Sequence, residues 1–163
     1  MSNGLCIFVD GNNLFHSAMQ TGIQIDYNKL LEVLTEGKEY TKAVFYTGSD
    51  DNAEKQRSFL HWMSRNGWRV VRKTVQVSKD NVRTANLENQ IITDMLVSVM
   101  NGAKTIVLVS GDEGFVYPLS KIQDRDIRIV VAGFRSSTSH RLMDVADDYI
   151  ELEQADVTRA REE

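Results

Sequence analysis

Two aspartates in this chain lie within three residues after short apolar segments that are typical of buried β-strands. Asp10 comes after residues 5–9 in the segment V-D-G-N-N-L, and Asp112 comes after residues 105–109 in the segment V-S-G-D-E-G-F. If the two strands are neighbours in a parallel sheet, both carboxylates emerge at the same edge, where their repulsion favours a bound cation or a proton. Mg²⁺ or Mn²⁺, which prefer oxygen ligands, suit such a site. The first motif alone is also ordinary turn chemistry.

A helix predicted over residues 87–100 supplies two further acids. Glu88 falls inside its apolar stripe, in the first turn, while Asp94 falls at the edge of that stripe. An acid in this position indicates either a ligand or a favourable interaction with the helix dipole, and the sequence leaves both open for Glu88. Asp94 lies about 9 Å further along the axis, so both acids reach one ion only if the helix runs obliquely. The apolar stripe consists of Leu87, Ile91, Met95 and Val99.

Candidate contacts to a phosphate-bearing substrate lie beside the two aspartates and in a later loop. Asn13 and Ser110 flank the aspartates, while Arg135, Ser137 and Thr138 occupy a hydroxyl-rich loop before a predicted helix. Hydroxyls, a cation and a helix N-terminus together can bind phosphate. An ordinary Ser or Thr helix cap is the more common meaning of such a loop, and both interpretations stay open.

Residues 55–83 form a basic segment in an otherwise acidic chain. The net charge is −4 and the pI is near 5.4, yet this segment contains eight Lys or Arg residues against one acid, Asp80. Arg72 and Lys73 in this segment, together with Arg135, are candidates for holding an RNA backbone. Contacts of this kind report phosphate rather than base sequence and weaken steeply with salt.

The elements that must position these residues alternate along the chain. Nearly continuous apolar runs predict strands at residues 5–9, 43–46, 68–71, 105–109 and 127–132, and helical spacing occurs at residues 27–34, 53–65, 87–100 and 116–123. This alternation predicts βαβ units, hence an α/β fold with a mainly parallel central sheet and helices on both faces. Ligands of such sheets bind beyond the carboxyl ends of the strands, where the candidate residues lie.

Length and composition predict one domain. Of the 163 residues, we assign 1–152 to the domain and expect 153–163 to be a flexible C-terminal tail. The single cysteine, Cys6, lies in an apolar run, which predicts core packing and favours a reducing compartment. Because no apolar stretch approaches the ~18 residues of a membrane span, we expect a cytoplasmic protein with no membrane partner.

The order of these motifs resembles the NYN domain, in its LabA-like branch, of the PIN-like ribonuclease superfamily. The resemblance rests on V-D-G-N-N-L, the L-E…D-M-L helix, V-S-G-D-x-x-F and the final V-x-G-F segment, and it runs from about residue 5 to residue 152. It implies a PIN-like, Rossmannoid three-layer sandwich whose acids bind Mg²⁺ or Mn²⁺ to hydrolyse RNA. By position, it implies that Asp10, Glu88, Asp94 and Asp112 bind metal, and that Asp10, Asp94 and Asp112 are catalytic. It also places Asn13 at the asparagine of the first motif.

Two positions depart from the family pattern. The family usually has aspartate where this chain has Glu88, and it usually reads S-G-D-x-D-F, whereas this chain has Gly114 at the second acid and Glu113 one residue earlier. The leading hypothesis is a metal-dependent ribonuclease. Gly114 favours an alternative, a catalytically impaired RNA-binding or regulatory module, for which a homodimer is a compatible assembly. A third hypothesis, a metal-dependent phosphatase for small phosphate esters, has no need of the basic segment.

Overall fold

A six-stranded parallel sheet forms the centre of the computed structural model, which describes residues 4–49, 54–74, 76–77, 83–84 and 86–159. The strands are β1 (Leu5–Asp10), β2 (Lys42–Ser49), β3 (Arg69–Thr74), β4 (Gln76–Val77), β5 (Arg83–Thr84), β6 (Thr105–Val109), β7 (Arg128–Gly133) and β8 (Asp148–Glu151). The order in the sheet is β3-β2-β1-β6-β7-β8, so β3 is an edge strand, and β4 and β5 form a separate antiparallel pair. The predicted parallel α/β architecture is confirmed.

Helices cover both faces of the sheet. They are α1 (Gly11–Thr21), α2 (Tyr27–Thr35), α3 (Glu54–Arg65), α4 (Glu88–Met100), α5 (Val116–Gln123) and α6 (His140–Val145), with 3₁₀ turns at Glu113–Phe115, Arg135–Ser137 and Leu152–Gln154. In the part of the chain that the structure describes, no helix is both long and apolar enough to cross a membrane. All five predicted strands are present. The strand β8 lies outside the predicted set, because its sequence D-Y-I-E lacks a continuous apolar run.

Alternate residues of each central strand pack into two separate cores. Ile7 and Val9 of β1 face the core covered by α1, α2 and α3, while Cys6 and Phe8 face the core covered by α4, α5 and α6. This division follows from the alternating side-chain directions of a strand that is buried on both faces. Cys6 is buried, as its apolar surroundings in the sequence predict. The same alternation between the two faces continues to the carboxyl end of β1.

Residues 153–159 are packed against the domain and do not form the expected flexible tail. Val157 is fully buried, and its carbonyl oxygen accepts a 2.8 Å hydrogen bond from the Asp26 amide. The Arg159 amide donates a 2.8 Å hydrogen bond to the Gln24 carbonyl oxygen. The domain boundary predicted at residue 152 is therefore too early, because Val157 fills space in the core beside α2.

Candidate active site at the carboxyl edge of the sheet

Asp10 and Asp112 emerge side by side at the carboxyl edge of the sheet. Strands β1 and β6 are hydrogen-bonded neighbours with Val9 opposite Val109, so the residues that follow them lie at the same edge. Ser110 bridges the two acids. Its Oγ donates a 3.1 Å hydrogen bond to Asp10 Oδ2 and accepts a 3.2 Å hydrogen bond from the Asp112 amide. Because Ser110 is only 1% exposed, it positions the acids and has no surface to offer a substrate.

Glu88, the first residue of α4, is the third acid of this site. Burial raises the pKa of Glu88, and the charges of Asp112 and Asp10 raise it further. Burial also raises the pKa of Asp10, with an added contribution from Asp112, while hydrogen bonds from Asn13 and Ser110 lower it. The charge of a neighbouring acid contributes to both of these pKa shifts, so these carboxylates disfavour one another's charged forms. Ser110 links Asp10 to Asp112, and the backbone of Gly114 lies between Asp112 and Glu88, so these three residues of distant elements lie at one edge of the sheet.

The Glu88 carboxylate lies against the backbone of Gly114. A Cβ atom built at Gly114 would overlap Glu88 Oε1 and would lie 2.8 Å from Glu88 Cδ. The Gly114 amide donates a 2.9 Å hydrogen bond to Asp112 Oδ1, which caps the 3₁₀ turn that follows. The position that departs from the family pattern is therefore inside the site, in contact with two of its acids.

Two adjacent asparagines tie the start of α1 to β2 on one side and to the loop after β6 on the other. Asn13 Oδ1 accepts a 3.0 Å hydrogen bond from the Gly111 amide, beyond β6, and Asn12 Oδ1 accepts a 3.2 Å hydrogen bond from the Gly48 amide, in β2. The cap of α1 is Asp10, whose Oδ1 accepts a 3.4 Å hydrogen bond from the Asn13 amide.

Asp94, in the second turn of α4, has its hydrogen-bond partner on β2, the strand next to β1. Its Oδ2 accepts a 2.7 Å hydrogen bond from the hydroxyl of Tyr46, a fully buried residue that lies opposite Asp10 in the β1–β2 register. Burial raises the pKa of Tyr46, and the neighbouring Asp94 raises it further, so the hydroxyl remains a hydrogen-bond donor.

The hydroxyls of the predicted phosphate-binding loop have partners within the protein. Thr138 is buried, and its Oγ1 donates a 2.8 Å hydrogen bond to the Phe134 carbonyl oxygen and accepts one of 2.9 Å from the Tyr149 hydroxyl. Ser137 Oγ donates a 2.8 Å hydrogen bond to Ser17 Oγ in α1. These contacts hold the loop against the sheet edge, and the expected contact of this loop with phosphate stays a prediction.

The predicted cationic contacts divide into two groups. Arg135 forms a 2.8 Å ion pair with Glu151, and its side chain is 68% exposed. On the other side of the site, β3 carries the exposed Arg72 and the half-buried Lys73, whose Nζ donates a 3.0 Å hydrogen bond to the Asn86 carbonyl oxygen just before α4. The cations of β3 therefore border the helix start that carries Glu88.

The donor chemistry of the site fits a hard divalent cation. Within the described residues, no group of three or more His, Cys, Asp or Glu side chains is close enough to hold a metal ion in the arrangement seen. Proteins commonly bind Mg²⁺ through one or two carboxylates, with water and substrate phosphate completing the shell. Carboxylates that raise one another's pKa are stabilised by a neighbouring cation, so one or two of the acids Asp10, Glu88 and Asp112 fit this mode of binding.

Sequence reasoning missed two residues of the site. Asn12 stands next to a predicted residue, and the repeated asparagine was the signal that could have found it. Tyr46 gave no such signal, because a tyrosine in a buried strand is ordinary core material until its hydroxyl is seen to meet Asp94.

A parallel α/β sandwich with acids at the carboxyl edge of its sheet is the arrangement of PIN-like proteins. The family model for the NYN domain matches residues 4–153. The chain belongs to this family, which is part of the PIN-like nuclease superfamily, and the resemblance read from its motifs is confirmed.

Two similar proteins place the chain more closely. It is 29% identical over 156 residues to the low amplitude and bright protein LabA of Synechococcus elongatus (strain ATCC 33912 / PCC 7942 / FACHB-805), an alignment that spans 91% of this chain and 83% of LabA. The crystal structure of VPA0982, a protein of unknown function from Vibrio parahaemolyticus RIMD 2210633, superposes with a TM-score of 0.83 at 27% identity. That match covers 98% of this chain and 99% of the other.

Proposed function

We propose that this protein is a metal-dependent ribonuclease that hydrolyses RNA phosphodiester bonds at the carboxyl edge of its sheet. The observation that carries the proposal is the convergence of Asp10, Glu88 and Asp112, whose charges oppose one another at the place where α/β proteins bind ligands. A group of acids that disfavour one another's charge is a frequent mark of a functional site. Membership of the PIN-like nuclease superfamily favours the same function.

Asp10, Glu88 and Asp112 would hold Mg²⁺ or Mn²⁺, which when bound supplies charge for the phosphate and a more acidic water. Ser110 keeps Asp10 and Asp112 in a fixed relation through its two hydrogen bonds. The α1 helix presents its N-terminus at Asp10, which adds positive potential on that side of the site. We assign Asp94 a supporting role. It contributes negative charge from α4, and the hydroxyl of Tyr46 fixes the orientation of its carboxylate.

The cations of α3 and β3 would bind the backbone of the RNA. Within the described residues, the segment 54–74 contains one acid, Glu54, and its cations form no ion pair with a described carboxylate. The cations concerned are Lys55, Arg57, Arg65, Arg69, Arg72 and Lys73. A basic flank beside an acidic site favours a long polyanion over a small phosphate ester. A free, buried cysteine fits a cytoplasmic location for such an enzyme.

The test is cleavage of labelled single-stranded and structured RNAs in Mg²⁺, in Mn²⁺ and in EDTA. We expect cleavage by the wild type only with metal, and a decrease of about 100-fold or more in Asp10→Asn and in Asp112→Asn. Glu113→Gln is the matched control, since Glu113 is exposed and faces Arg141 at 3.5 Å. Activity that survives in both aspartate variants would contradict the proposal.

A second candidate function is an RNA-binding or regulatory module without nuclease activity, and Gly114 is the observation that favours it. In that case RNA binds to the wild type and to Asp10→Asn with equal affinity, and neither metal produces cleavage. The same cleavage assay, with a binding measurement on uncut RNA beside it, separates the two functions. Size-exclusion chromatography of the same samples tests the homodimer that this alternative accommodates.

A further inference from the structure

We propose that a cleft at the amino edge of the sheet binds a phosphate monoester, which is either a free nucleotide or the terminal phosphate of an RNA. This amino-edge cleft has a volume of about 530 Å³ and lies between the starts of β1, β2 and β3 and the end of α4. Because β1 has six residues, at ~3.3 Å each, the cleft lies about 20 Å from the candidate active site. The inference therefore goes beyond the proposed function and involves no metal. Residues that line the cleft include Cys6, Lys42, Arg69, Ser98, Asn101 and Lys104.

The register of the strands brings three cations to this cleft. Lys42, the first residue of β2, lies opposite Cys6 of β1, and Arg69, the first residue of β3, lies opposite Val44 of β2. Cys6 and Val44 belong to the core that α4, α5 and α6 cover, and residues opposite one another in a sheet point to the same face. Lys42 and Arg69 therefore project toward the end of α4, where Lys104 follows the helix and lines the same cleft.

The cations of the amino-edge cleft have no acidic partner among the described residues. No Asp or Glu is among the described residues that line the cleft. Lys42, Arg69 and Lys104 also form no ion pair with any described carboxylate. Lys42 Nζ lies 5.9 Å from the centre of the Phe8 ring, a contact that leaves its hydrogen-bond donors available. Positive charge that is concentrated in a concave site attracts an anion.

Buried polar groups form the floor of the cleft, and exposed donors form its rim. Ser98 is 3% exposed and donates its 2.8 Å hydrogen bond to the Asp94 carbonyl oxygen, while Cys6 is 2% exposed. Burial raises the pKa of the Cys6 thiol, and the charges of Lys42 and Arg69 act against that rise, so both cations act on the floor. The exposed Asn101, at the C-cap of α4, adds an amide donor at the rim.

This combination of charge and size selects the class of ligand. A phosphate monoester carries about two negative charges near neutral pH and offers three acceptor oxygens, which suits three cations better than a single carboxylate does. The volume of the cleft falls in the range of about 300–1,000 Å³ that is usual for small-molecule sites, so a whole nucleotide fits as well as the end of an RNA.

The experiment is calorimetric titration of the full chain, in EDTA, with adenosine monophosphate and with a short single-stranded RNA that does or does not carry a terminal phosphate. EDTA leaves the acids of the candidate active site without a cation, so they repel phosphate there. We expect Lys42→Gln and Lys104→Gln each to weaken binding of the preferred probe by about tenfold, because each removes a charge-assisted hydrogen bond. Adenosine, which lacks the phosphate, should not bind. Lys38→Gln is the matched control, since it removes the same charge from an exposed lysine that pairs with Glu36 outside the cleft.

The two sources of the phosphate give different patterns. If the ligand is a free nucleotide, adenosine monophosphate binds and the terminal phosphate does not change the affinity for RNA. If the ligand is an RNA end, the phosphorylated RNA binds more tightly than its unphosphorylated form, and Lys42→Gln/Lys104→Gln removes that difference.

Two results would overturn the inference. The first is a wild type that binds neither adenosine monophosphate nor the phosphorylated RNA better than the matching probe without phosphate. The second is equal affinity in the wild type and in Lys42→Gln/Lys104→Gln. If that double variant also melts at a lower temperature in EDTA, its cations only balance the negative end of the α4 dipole. Failure of the proposed nuclease function would leave these titrations unchanged, because they contain no metal and measure no cleavage.

Discussion

The hydroxyl of Tyr46 donates a 2.7 Å hydrogen bond to Asp94 Oδ2, which links the middle of α4 to the strand beside Asp10. This contact gives Asp94 a hydrogen-bond partner on β2, as Ser110 and the Gly114 amide are partners of Asp10 and Asp112. Because of this contact, one substitution can remove the charge of Asp94 and another can remove the hydrogen bond that orients it.

Tyr46→Phe should lower the free energy of unfolding by about 1.5 kcal/mol or more, because it leaves a half-buried carboxylate without its charge-assisted hydrogen bond. Asp94→Asn should cost less, since the asparagine oxygen can still accept that bond. If Asp94 supports the site through its charge, Asp94→Asn should reduce RNA cleavage more than Tyr46→Phe does. Urea unfolding and cleavage rates of both variants check this, and the reverse order of rates would assign Asp94 a structural role alone.

Gly111→Ala should destabilise the protein by about 1–3 kcal/mol. A Cβ at Gly111 would overlap the carbonyl oxygen of Ser137, and backbone cannot move aside as a side-chain end can. Gly114→Ala is the matched substitution, expected to change the stability by no more than about 0.5 kcal/mol. Urea unfolding at one pH measures both. Equal costs in the two variants would contradict the distinction between backbone and side-chain contacts.

Asp10 and Glu88 should make the metal-free protein less stable as the pH rises from 4 to 7. Both have a folded-state pKa above the ordinary value, so their contribution is fully present below the ordinary carboxyl range. That contribution is lost as the pH rises through the raised pKa values, because the unfolded chain gives up these protons first. The measurement is the difference in melting temperature between the wild type and the Asp10→Asn/Glu88→Gln variant, in EDTA, across this range.

That difference should move in favour of the variant as the pH rises, since the variant carries amides where the wild type gains charge. Saturating Mn²⁺ should remove the variant's advantage at pH 7, because only the wild type binds the cation. A difference that does not depend on pH would contradict the cause given for the two shifts.

Arg72→Gln/Lys73→Gln should weaken RNA binding and reduce the slope of log affinity against log salt by about 0.7 for each phosphate group that these side chains bind in the wild type. Turnover of a small phosphate ester, if the protein has any, should not change. Lys38→Gln is the matched control, because Lys38 is exposed and pairs with Glu36 away from the site. Filter binding at several salt concentrations provides the comparison. An unchanged slope would place the RNA elsewhere and would favour the small-substrate phosphatase.

The sequence predicts the sheet edge well, because its signals are local there. An apolar run followed by an acid and a glycine indicates a buried strand and its turn, and two such runs are enough to predict that Asp10 and Asp112 lie side by side. The position of Glu88 is also readable, since helical spacing sets it at a helix start. These inferences need only the periodicity of one element and the general rule for parallel sheets.

The parts that could not be predicted depend on partners far apart in the chain. Nothing near Arg135 in sequence reveals that Glu151 lies 2.8 Å from its guanidinium. In the same way, the overlap between Glu88 and position 114 exists only after α4 has docked against the loop beyond β6. Side-chain pairing across elements is a property of the packed fold. The sequence alone therefore indicates only that position 114 lacks an acid, whereas the structure shows that the Glu88 carboxylate occupies the space of a side chain there.

The basic edge of the sheet also bears on how copies of this protein behave in solution. Strand β3 borders the sheet, where among the described strands it pairs only with β2, and Arg72 and Lys73 place positive charge along that border. Like charges meeting along two such borders repel, which hinders edge-to-edge pairing of the sheets of two copies. The residues proposed to bind RNA would thus also keep the protein dispersed, so replacing them should lower both the affinity for RNA and the solubility.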